Sequence, residues 1–545
     1  MRALAAITTL SLVALLPVAA AAQDAPRIER VEPFEIAPGG QLEVFGSGFS
    51  IDPARNGVVV AGRAATVRQA APDRLLVTVP PGTWTGAVRV TVAGAQSNAQ
   101  VVRVARSRGN VALAGTPAAG DKAGRPSRPG PLLEKALAYD QVYRLRHSPD
   151  GLTVDALLDA SLTTVAEYTN EGDAALWTGT YVAAQAFRHA TTGEAEALAN
   201  ARRGLDALRA LTEITGVRGL WGRNFFRATT QPYPGPGEIH DGTGPFAGYR
   251  WRGNVSRDQY TGLIFGYAVA WDRIADPAVR AQCAADLAAM ADHLIANGHR
   301  IVDVDGQPTT HGDVGTSFLG LRVTNPVHAL IVLSGLKAAA VSNPGDPRYA
   351  QAYADAARRY ANLIPSALVL DFGPRTKWYN FNLAFQPLYT LLRLETDPAV
   401  RARYEDALRR LFAGPSASAP VRDQFNSFFA FIHAARAPGR HGGADWISVH
   451  EGIWSLQLFD PPPHRHRGVD GSRSVRPDRI AQALFGVDQA RDPVPVHLRP
   501  RSDFLWQRSP FAYRSPEDLR VEYPGVDYLV AYWMGRYHGY VAADM

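Results

Sequence analysis

Two residue types are scarce in this 545-residue chain. Cys283 is the one cysteine, so an intramolecular disulfide and a cysteine-based zinc or iron–sulfur centre are both excluded. Lysine accounts for only four of the 57 basic residues, at Lys122, Lys135, Lys337 and Lys377. The arginines alternate with aspartate and glutamate and are not interleaved with aromatic residues, so nucleic acid is not an expected partner.

Long apolar runs are also missing after the N-terminus, which excludes a polytopic membrane protein. Residues 1–22 combine Arg2, an apolar stretch that ends at Pro17, and three alanines at positions 20–22. This pattern predicts a secretory signal peptide with a small-residue cleavage site, and an uncleaved anchor is the alternative. We therefore expect a secreted or periplasmic protein with no membrane span after cleavage. Hydrophobic residues make up 46% of the chain, which is enough for a large core.

Residues 26–104 have an apolar period of two and turns rich in glycine and proline, which predicts a β-sandwich. The sequence pieces Pro38-Gly39-Gly40, Val44-Phe45-Gly46-Ser47-Gly48-Phe49 and Val77-Thr78-Val79-Pro80-Pro81-Gly82 resemble an IPT/TIG domain, an immunoglobulin-like module. The resemblance implies a spacer or docking platform and no catalytic role. Residues 105–130 are rich in Gly, Pro, Arg and Ala and are interpreted as a linker.

Residues 131–545 have an apolar period of 3.6, which predicts a large all-α domain. The predicted helices include 153–168 and 315–341. Three near-identical Asp-Pro turns, at 276–277, 346–347 and 397–398, each place a capping aspartate before a first-turn proline. Each turn follows directly on an apolar helix, so it closes one helical hairpin, whereas the connections between hairpins are long. About twelve helices with this asymmetry predict an (α/α)6 toroid, and an α-solenoid is the alternative.

If the Asp-Pro turns close one end of the toroid, the long loops crowd the other end. The residues that begin the inner helices, together with loop 217–256, then face one shared cleft. Aromatic rings that stack on sugar faces and polar groups that bind hydroxyls are what a saccharide cleft requires. The predicted substrate-binding residues are Trp177, Arg257, His240, Trp251, Asp313, Tyr379, Asn380, Asn382, Asn426 and Trp454.

The predicted catalytic residues are Asp173, Asp258, Tyr260 and His311. Structural roles are the alternatives: Asp173 as a helix cap, Tyr260 and Trp177 as core aromatics, and His450 with Glu451 as a capping pair. Ser256 suffices as a cap for its helix, which leaves Asp258 free. Asp303 and Asp305 belong to half a calcium loop and are better interpreted as a hairpin turn.

Two chemistries fit these residues. Hydrolysis requires an acid and a base on opposite sides of a glycosidic bond, and Asp173 and Asp258 begin different inner helices. β-Elimination requires a base such as Tyr260 or His311, with Arg257 or Asn382 to neutralise a uronate carboxylate. The residues alone leave both open.

The stretches 173–181 (D-A-A-L-W-T-G-T-Y) and 257–262 (R-D-Q-Y-T-G) resemble helix starts of the six-hairpin superfamily of carbohydrate-active enzymes. This resemblance implies a glycoside hydrolase or a polysaccharide lyase that acts on a poly- or oligosaccharide. We expect a hydrolase, with a lyase and a non-catalytic glycan-binding protein as the alternatives. No cofactor or catalytic metal is predicted, and a structural calcium ion is left open.

Overall fold

The computed structural model describes residues 25–33, 35–104, 132–169, 172–232, 235, 237–313, 315–318, 321–364, 373–414, 419–436, 444–466, 475–500, 502–514 and 518–545. The predicted signal peptide and the predicted linker lie outside these residues. Among the helices described, none has both the length and the hydropathy needed to cross a bilayer.

The N-terminal domain is a β-sandwich of short strands. Its strands are β1 Arg27–Glu32, β2 Glu35–Ile36, β3 Gln41–Ser47, β4 Asn56–Val60, β5 Arg63–Ala71, β6 Arg74–Thr78, β7 Gly86–Val92, β8 Ala95–Gln96 and β9 Gln100–Val104. They pair in the order β1-β3-β6-β5-β4-β7-β9-β2, with β8 beside β7. In β4, Val58 and Val60 are buried while Gly57 and Val59 face solvent, so the period of two reflects one core-facing side.

The C-terminal domain is built from α-helices that alternate between two layers. They are α1 Leu132–Val142, α2 Ala174–Thr192, α3 Ala195–Glu213, α4 Arg257–Arg273, α5 Pro277–Ala296, α6 Pro326–Ser342, α7 Pro347–Tyr360, α8 Tyr379–Leu394, α9 Pro398–Ala413, α10 Ser427–Ala435, α11 Ala444–Leu458, α12 Arg479–Phe485 and α13 Val526–Tyr537.

Six of these helices, α2, α4, α6, α8, α10 and α13, contact one another in that order and close into a ring, since α13 packs against α2. Helices α3, α5, α7, α9, α11 and α1 pack outside them, each against its own inner helix. The prediction of a small β-sandwich followed by an (α/α)6 toroid is therefore confirmed. The inner helices run parallel, because Phe187 of α2 contacts Tyr389 of α8 and Tyr537 of α13, each about three turns from its helix start.

The Asp-Pro turns lie at one end of this ring. The side chains of Asp276, Asp346 and Asp397 each accept a backbone N–H of the helix they precede. Every connection from an outer helix to the next inner helix is long, so these connections share the opposite end, called here the loop end. The predicted asymmetry of the toroid is thus observed.

The loop end carries short strands where helix was partly predicted. They are β10 Asp155–Leu158, β11 Val165–Thr169, β12 Asn224–Arg227, β13 Ile239–Asp241, β14 Tyr249–Arg252, β15 Arg300–Val302, β16 Pro308–Asp313, β17 Gly315–Phe318, β18 Leu321–Thr324, β19 His464–His466 and β20 Asp518–Tyr523. The predicted helix 153–168 is wrong, because β10 and β11 form a hairpin that joins β20 and β19. The predicted helix 315–341 begins only at Pro326, after the β17–β18 hairpin.

The β domain packs against α11 through a polar junction. Arg103 of β9 donates to Glu451 at 2.9 Å and also pairs with Glu35. The Thr85 hydroxyl donates to the same Glu451 carboxylate at 3.1 Å, and the Thr85 carbonyl lies 3.1 Å from Nδ1 of His450. The interpretation of His450 and Glu451 as a capping pair is therefore wrong: both lie in the middle of α11 and contact the β domain.

Candidate active site

The loop end brings together the starts of two neighbouring inner helices, α2 and α4. Gln259 in the first turn of α4 accepts the backbone N–H of Leu176 at 3.0 Å and donates to Oδ1 of Asp173 at 2.7 Å. The Asp173 carboxylate makes no cap bond to its own helix, and the Ser256 side chain makes none to α4. Asp173 is therefore tied to α4, and the interpretation of either residue as a side-chain cap is wrong.

Three glycines set the separation of these two helices. A Cβ built at Gly262 would lie 2.2 Å from the carbonyl oxygen of Leu176, and one at Gly179 would lie 2.1 Å from the carbonyl oxygen of Gly262. A Cβ at Gly266 would lie 2.4 Å from the carbonyl oxygen of Gly179. The two backbones are in direct contact, so any side chain here would push apart the helices that carry Asp173 and Asp258.

Arg223 brings a positive charge to both carboxylates. Its Nε donates to the carbonyl of Asn254 at 2.8 Å, and its Nη1 donates to the carbonyl of Gly172 at 2.9 Å. These carbonyls precede α4 and α2, respectively, so the buried guanidinium bridges the two helix starts. Its charge lowers the pKa of Asp173 and that of Asp258, against other influences that raise them.

Asp173 and Asp258 share Arg223 but differ in their other charged neighbours. Burial, the charge of Asp503 and the charge of Asp258 raise the pKa of Asp173 to about 6. Burial also raises the pKa of Asp258, but the positive charges of Arg257, Arg223 and His311 oppose that rise. Both side chains keep part of their surface open to solvent. Negative neighbours thus add to the rise in the pKa of Asp173, whereas positive neighbours counteract the rise in the pKa of Asp258.

Residues 503–508, called here the floor segment, contact the inner helices α2, α8, α10 and α13. Phe504 stacks on Trp177 of α2 with ring centroids 4.5 Å apart. The indole of Trp506 donates to the Asp527 carbonyl at 2.7 Å, and the Trp506 carbonyl accepts from Asn426 at 2.9 Å. The floor segment is therefore held by α2, α13 and the cap of α10.

An ion pair joins the two ends of the floor segment. Oδ1 of the buried Asp503 accepts from Nε of Arg508 at 3.0 Å, while the Arg508 side chain is 53% exposed. Asp155 on β10 is buried nearby, and burial and the charge of Asp503 raise its pKa well above the usual value. Burial raises the pKa of Asp527 to about 7, and its carboxylate accepts the backbone N–H of Leu505 at 2.9 Å.

Several predicted site residues lie at the loop end with access to solvent. Nη1 of Arg257 donates to the carbonyl of His311 at 2.8 Å, next to Asp258. His240 stacks on Trp251 at 4.3 Å, and the Trp251 ring is buried beneath it. The remaining members with access are Asp313, Tyr379 and Asn380.

Other predicted site residues are packed into the core. The buried Tyr260 hydroxyl donates to the carbonyl of Gly219 at 2.9 Å, so the structure does not support Tyr260 as the catalytic base. Trp177 is covered by Phe504 and cannot stack on a sugar. Trp454 is buried on α11, where its ring contacts Phe425.

Two predicted amides have structural partners instead of substrate. Asn426 caps α10 by accepting from Phe429 N at 3.0 Å. Asn382 is buried between Gln386 of its own helix and Gln507 of the floor segment. Tyr260 and Asn382 lie in the interior, so of the residues predicted for β-elimination only His311 and Arg257 remain together at the loop end.

Sequence reasoning missed the charged residues of the floor segment and those around it. Asp503 and Arg508 lie outside the helix-start pattern that identified Asp173, and Asp155 lies in a segment predicted as helix. Asp527 lies in the first turn of the inner helix α13 and fits that pattern, but it was not selected. For the floor segment, the only local signal is that an aspartate and an arginine bracket a short apolar run at 503–508.

Asp303 accepts the N–H of Asn254 and closes the β15–β16 hairpin turn, as interpreted from the sequence.

Among the residues that the structure describes, no three His, Cys, Asp or Glu side chains are arranged to hold a metal ion. The expectation of no cofactor stays a prediction.

Comparison with known proteins identifies the first domain. Residues 26–103 match the sequence model of the IPT/TIG domain, so the resemblance predicted for this segment is confirmed. No curated protein matches the chain. The chain spans about a fifth of the length of the first solved structures that it matches. One is an auxiliary nutrient binding protein from Bacteroides thetaiotaomicron, 20% identical, which aligns over 15% of this chain and 21% of its own with a TM-score of 0.15.

Two enzyme structures align over more of the chain. A GH76 α-mannanase from Bacteroides thetaiotaomicron is 10% identical over 75% of this chain and 96% of its own, with a TM-score of 0.39. A thermostable endoglucanase from Alicyclobacillus acidocaldarius is 13% identical over 94% of this chain and 100% of its own, with a TM-score of 0.40. Likeness at this level carries no argument about activity, and the closed ring of helices rests on its own contacts.

Proposed function

We propose that the protein is an exported glycoside hydrolase that cleaves a poly- or oligosaccharide with Asp173 as general acid and Asp258 as general base. The observation that carries this proposal is the different electrostatic surroundings of the two carboxyls. Arg223 acts on both carboxyls, but beyond it Asp173 has the negative neighbours Asp503 and Asp258, whereas Asp258 has Arg257 and His311, which lower its pKa. Paired carboxyls whose surroundings separate their pKa values are what acid and base roles require.

The hydrogen bonds around Asp173 suit proton donation. Gln259 donates to Oδ1, which leaves Oδ2 as the oxygen to carry the proton. In the proposed reaction, Asp173 gives this proton to the glycosidic oxygen as the bond to the anomeric carbon breaks. Asp258 removes a proton from the water that attacks the opposite face of the sugar. The pKa of about 6 keeps Asp173 protonated in mildly acidic solution.

The surroundings of the two carboxyls support a sugar as the ligand. His240 lies at the loop end over the buried Trp251 ring, and Arg257 and Tyr379 present polar groups to solvent. Flat rings and convergent hydrogen-bonding groups together recognise a carbohydrate better than an apolar ligand. The predicted signal peptide supports export, and an exported enzyme can reach a polymeric glycan outside the cytoplasm.

The first experiment is a panel of polysaccharides incubated with the mature protein, read for new reducing ends and for ultraviolet absorbance. Reducing ends without absorbance are expected. Absorbance together with reducing ends would instead mean elimination and would refute hydrolysis. Glycan binding with no cleavage across the panel would favour a non-catalytic glycan-binding protein.

Two variants then assign the roles. Asp173→Asn should lose activity on natural glycans but retain much of it on an aryl glycoside whose leaving group needs no proton, because only acid assistance is removed. Asp258→Asn should lose activity on both, because the attacking water is no longer activated. Asp355→Asn on the outer helix α7, an exposed aspartate far from the ring centre, is the control and should match the wild type. Equal losses by Asp173→Asn on both substrates would contradict the acid role.

A further inference from the structure

The floor segment brings a third carboxylate toward the proposed acid. Asp503 immediately precedes Phe504, which stacks on Trp177 at 4.5 Å, one helical turn after Asp173. This contact places the start of the floor segment against the start of α2. The proposed hydrolysis uses Asp173 and Asp258 and assigns no task to Asp503 or to its partner Arg508.

Asp503 is fixed in place from several sides. Arg508 donates to its Oδ1 through Nε at 3.0 Å, and only 6% of the Asp503 side chain is exposed. The next residues are tied to α13, where Asp527 accepts from Leu505 N at 2.9 Å and from the Trp506 indole through its carbonyl at 2.7 Å. A buried carboxylate held this firmly exerts a constant field on its neighbours.

The charged groups around Asp173 come from three parts of the chain. Asp258 lies on α4, Arg223 precedes β12, and Asp503 with Arg508 lies on the floor segment. Asp503 itself also has Asp155 of β10, Asp527 of α13 and Tyr523 of β20 as electrostatic neighbours. Of the negative charges acting on Asp173, that of Asp503 is the stronger and that of Asp258 the weaker.

We propose that Asp503, held by Arg508, is a positioning residue that keeps Asp173 in its acid form, so that the floor segment sets the upper pH limit of the reaction. The inference rests on the proposed function of Asp173. It assigns to Asp503 no contact with substrate and no proton transfer. Arg508 fixes the position of the Asp503 carboxylate through two N–H groups that donate to the same oxygen, Oδ1.

The sign of the effect follows from the charges. A negative charge beside Asp173 makes loss of its proton less favourable, so removal of that charge must lower the pKa of Asp173 below about 6. A general acid with a lower pKa loses its proton, and with it its catalytic function, at a lower pH. The alkaline limb of the rate profile should therefore move toward lower pH, and the acidic limb, which belongs to the base, should stay in place.

The test compares the wild type with Asp503→Asn and Asp503→Glu. The asparagine amide still accepts a hydrogen bond from Arg508 but carries no charge, and glutamate restores the charge. We expect the alkaline limb of kcat/KM to move about one pH unit toward acid in Asp503→Asn and to return toward the wild-type position in Asp503→Glu. A lower rate with an unmoved limb would mean that Asp503 is only structural and would overturn the inference. Circular dichroism verifies the fold, and Asp503→Ser is the second neutral variant if Asp503→Asn unfolds.

A second readout is independent of any activity. With aspartate labelled by carbon-13 at the side-chain carboxyl, the Asp173 signal is assigned by its loss in Asp173→Asn and titrated by NMR. A lower titration midpoint in Asp503→Asn supports the inference even if no glycan is cleaved and the proposed function fails. An unchanged midpoint overturns the inference whatever the activity.

Discussion

The glycine contact between α2 and α4 gives a quantitative prediction for Gly262→Ala. The added Cβ would lie 2.2 Å from the Leu176 carbonyl oxygen, about 1.2 Å closer than the 3.4 Å lower limit of ordinary contact. The atom in conflict is backbone, so no side chain can rotate away. The helices must separate by about 1 Å, and with them Asp173 and Asp258. Overpacking of this kind costs about 1–3 kcal/mol of unfolding free energy.

The expected effects on stability and activity differ in size. An unfolding entropy of about 2.1 cal/mol/K per residue, over roughly 400 residues, converts that cost into a Tm lower by about 1–4 °C. A misplacement of 1 Å between reacting groups costs on the order of a hundredfold in rate. Gly262→Ala should therefore lower kcat about a hundredfold while the protein remains folded at assay temperature.

The assay is differential scanning calorimetry together with kcat on the best substrate of the panel. Gly335→Ala on α6 is the matched control, because its Cβ would meet only the end of the Ile264 side chain, at 3.1 Å. Alanine is the better helix former, so this control should keep kcat and match or exceed the wild-type Tm. If Gly262→Ala behaved like Gly335→Ala, the argument that helix contact sets the carboxyl spacing would be refuted.

Three further predictions test the other assignments. Tyr260→Phe removes only the hydroxyl bond to Gly219, so it should cost about 1 kcal/mol of stability and leave kcat within about twofold, and a hundredfold loss of kcat would restore Tyr260 as a base. Glu451→Gln weakens the partly buried pair with Arg103, so it should cost about 2 kcal/mol in thermal unfolding and make the β domain easier to release by protease. Wild-type resistance would show that this pair does not hold the domains. Asp397→Ala removes a cap at the end of the ring opposite the carboxyls and should cost about 1 kcal/mol with kcat unchanged, and a fall in kcat would contradict the assignment of chemistry to the loop end.

The hairpins of the toroid could be predicted because their signals are local. Asp276, Asp346 and Asp397 each cap the helix that begins at the next residue, and this geometry involves only a few neighbouring residues. Once the closed end was known, the opposite end followed, and with it Asp173 and Asp258. The same reasoning failed for 153–168, because β10 pairs with β20, more than 350 residues later in the chain. No local period records such a pairing.

Burial of individual side chains was the other limit. Trp177 and Asp173 begin the same helix, yet one is covered and the other keeps access to solvent. The difference arises from Phe504, which reaches α2 from a distant loop. The floor segment has no apolar period of its own, and its conformation is fixed by contacts with α2, α10 and α13. The position of Asp503 and Arg508 near the carboxyls therefore depends on tertiary contacts and could not be predicted from the local sequence.

The junction between the β domain and α11 joins two segments that are synthesised at widely separated times. Arg103 and Glu451 are separated by 348 residues, so the ribosome completes the β domain long before its partner helix exists. At roughly 5–20 residues per second, this interval lasts about 20–70 s. The β domain can form its own core and the Arg103–Glu35 pair during that time, but the face that meets α11 stays bare. The nascent chain thus exposes this partly charged surface to solvent until α11 has been synthesised and can cover it.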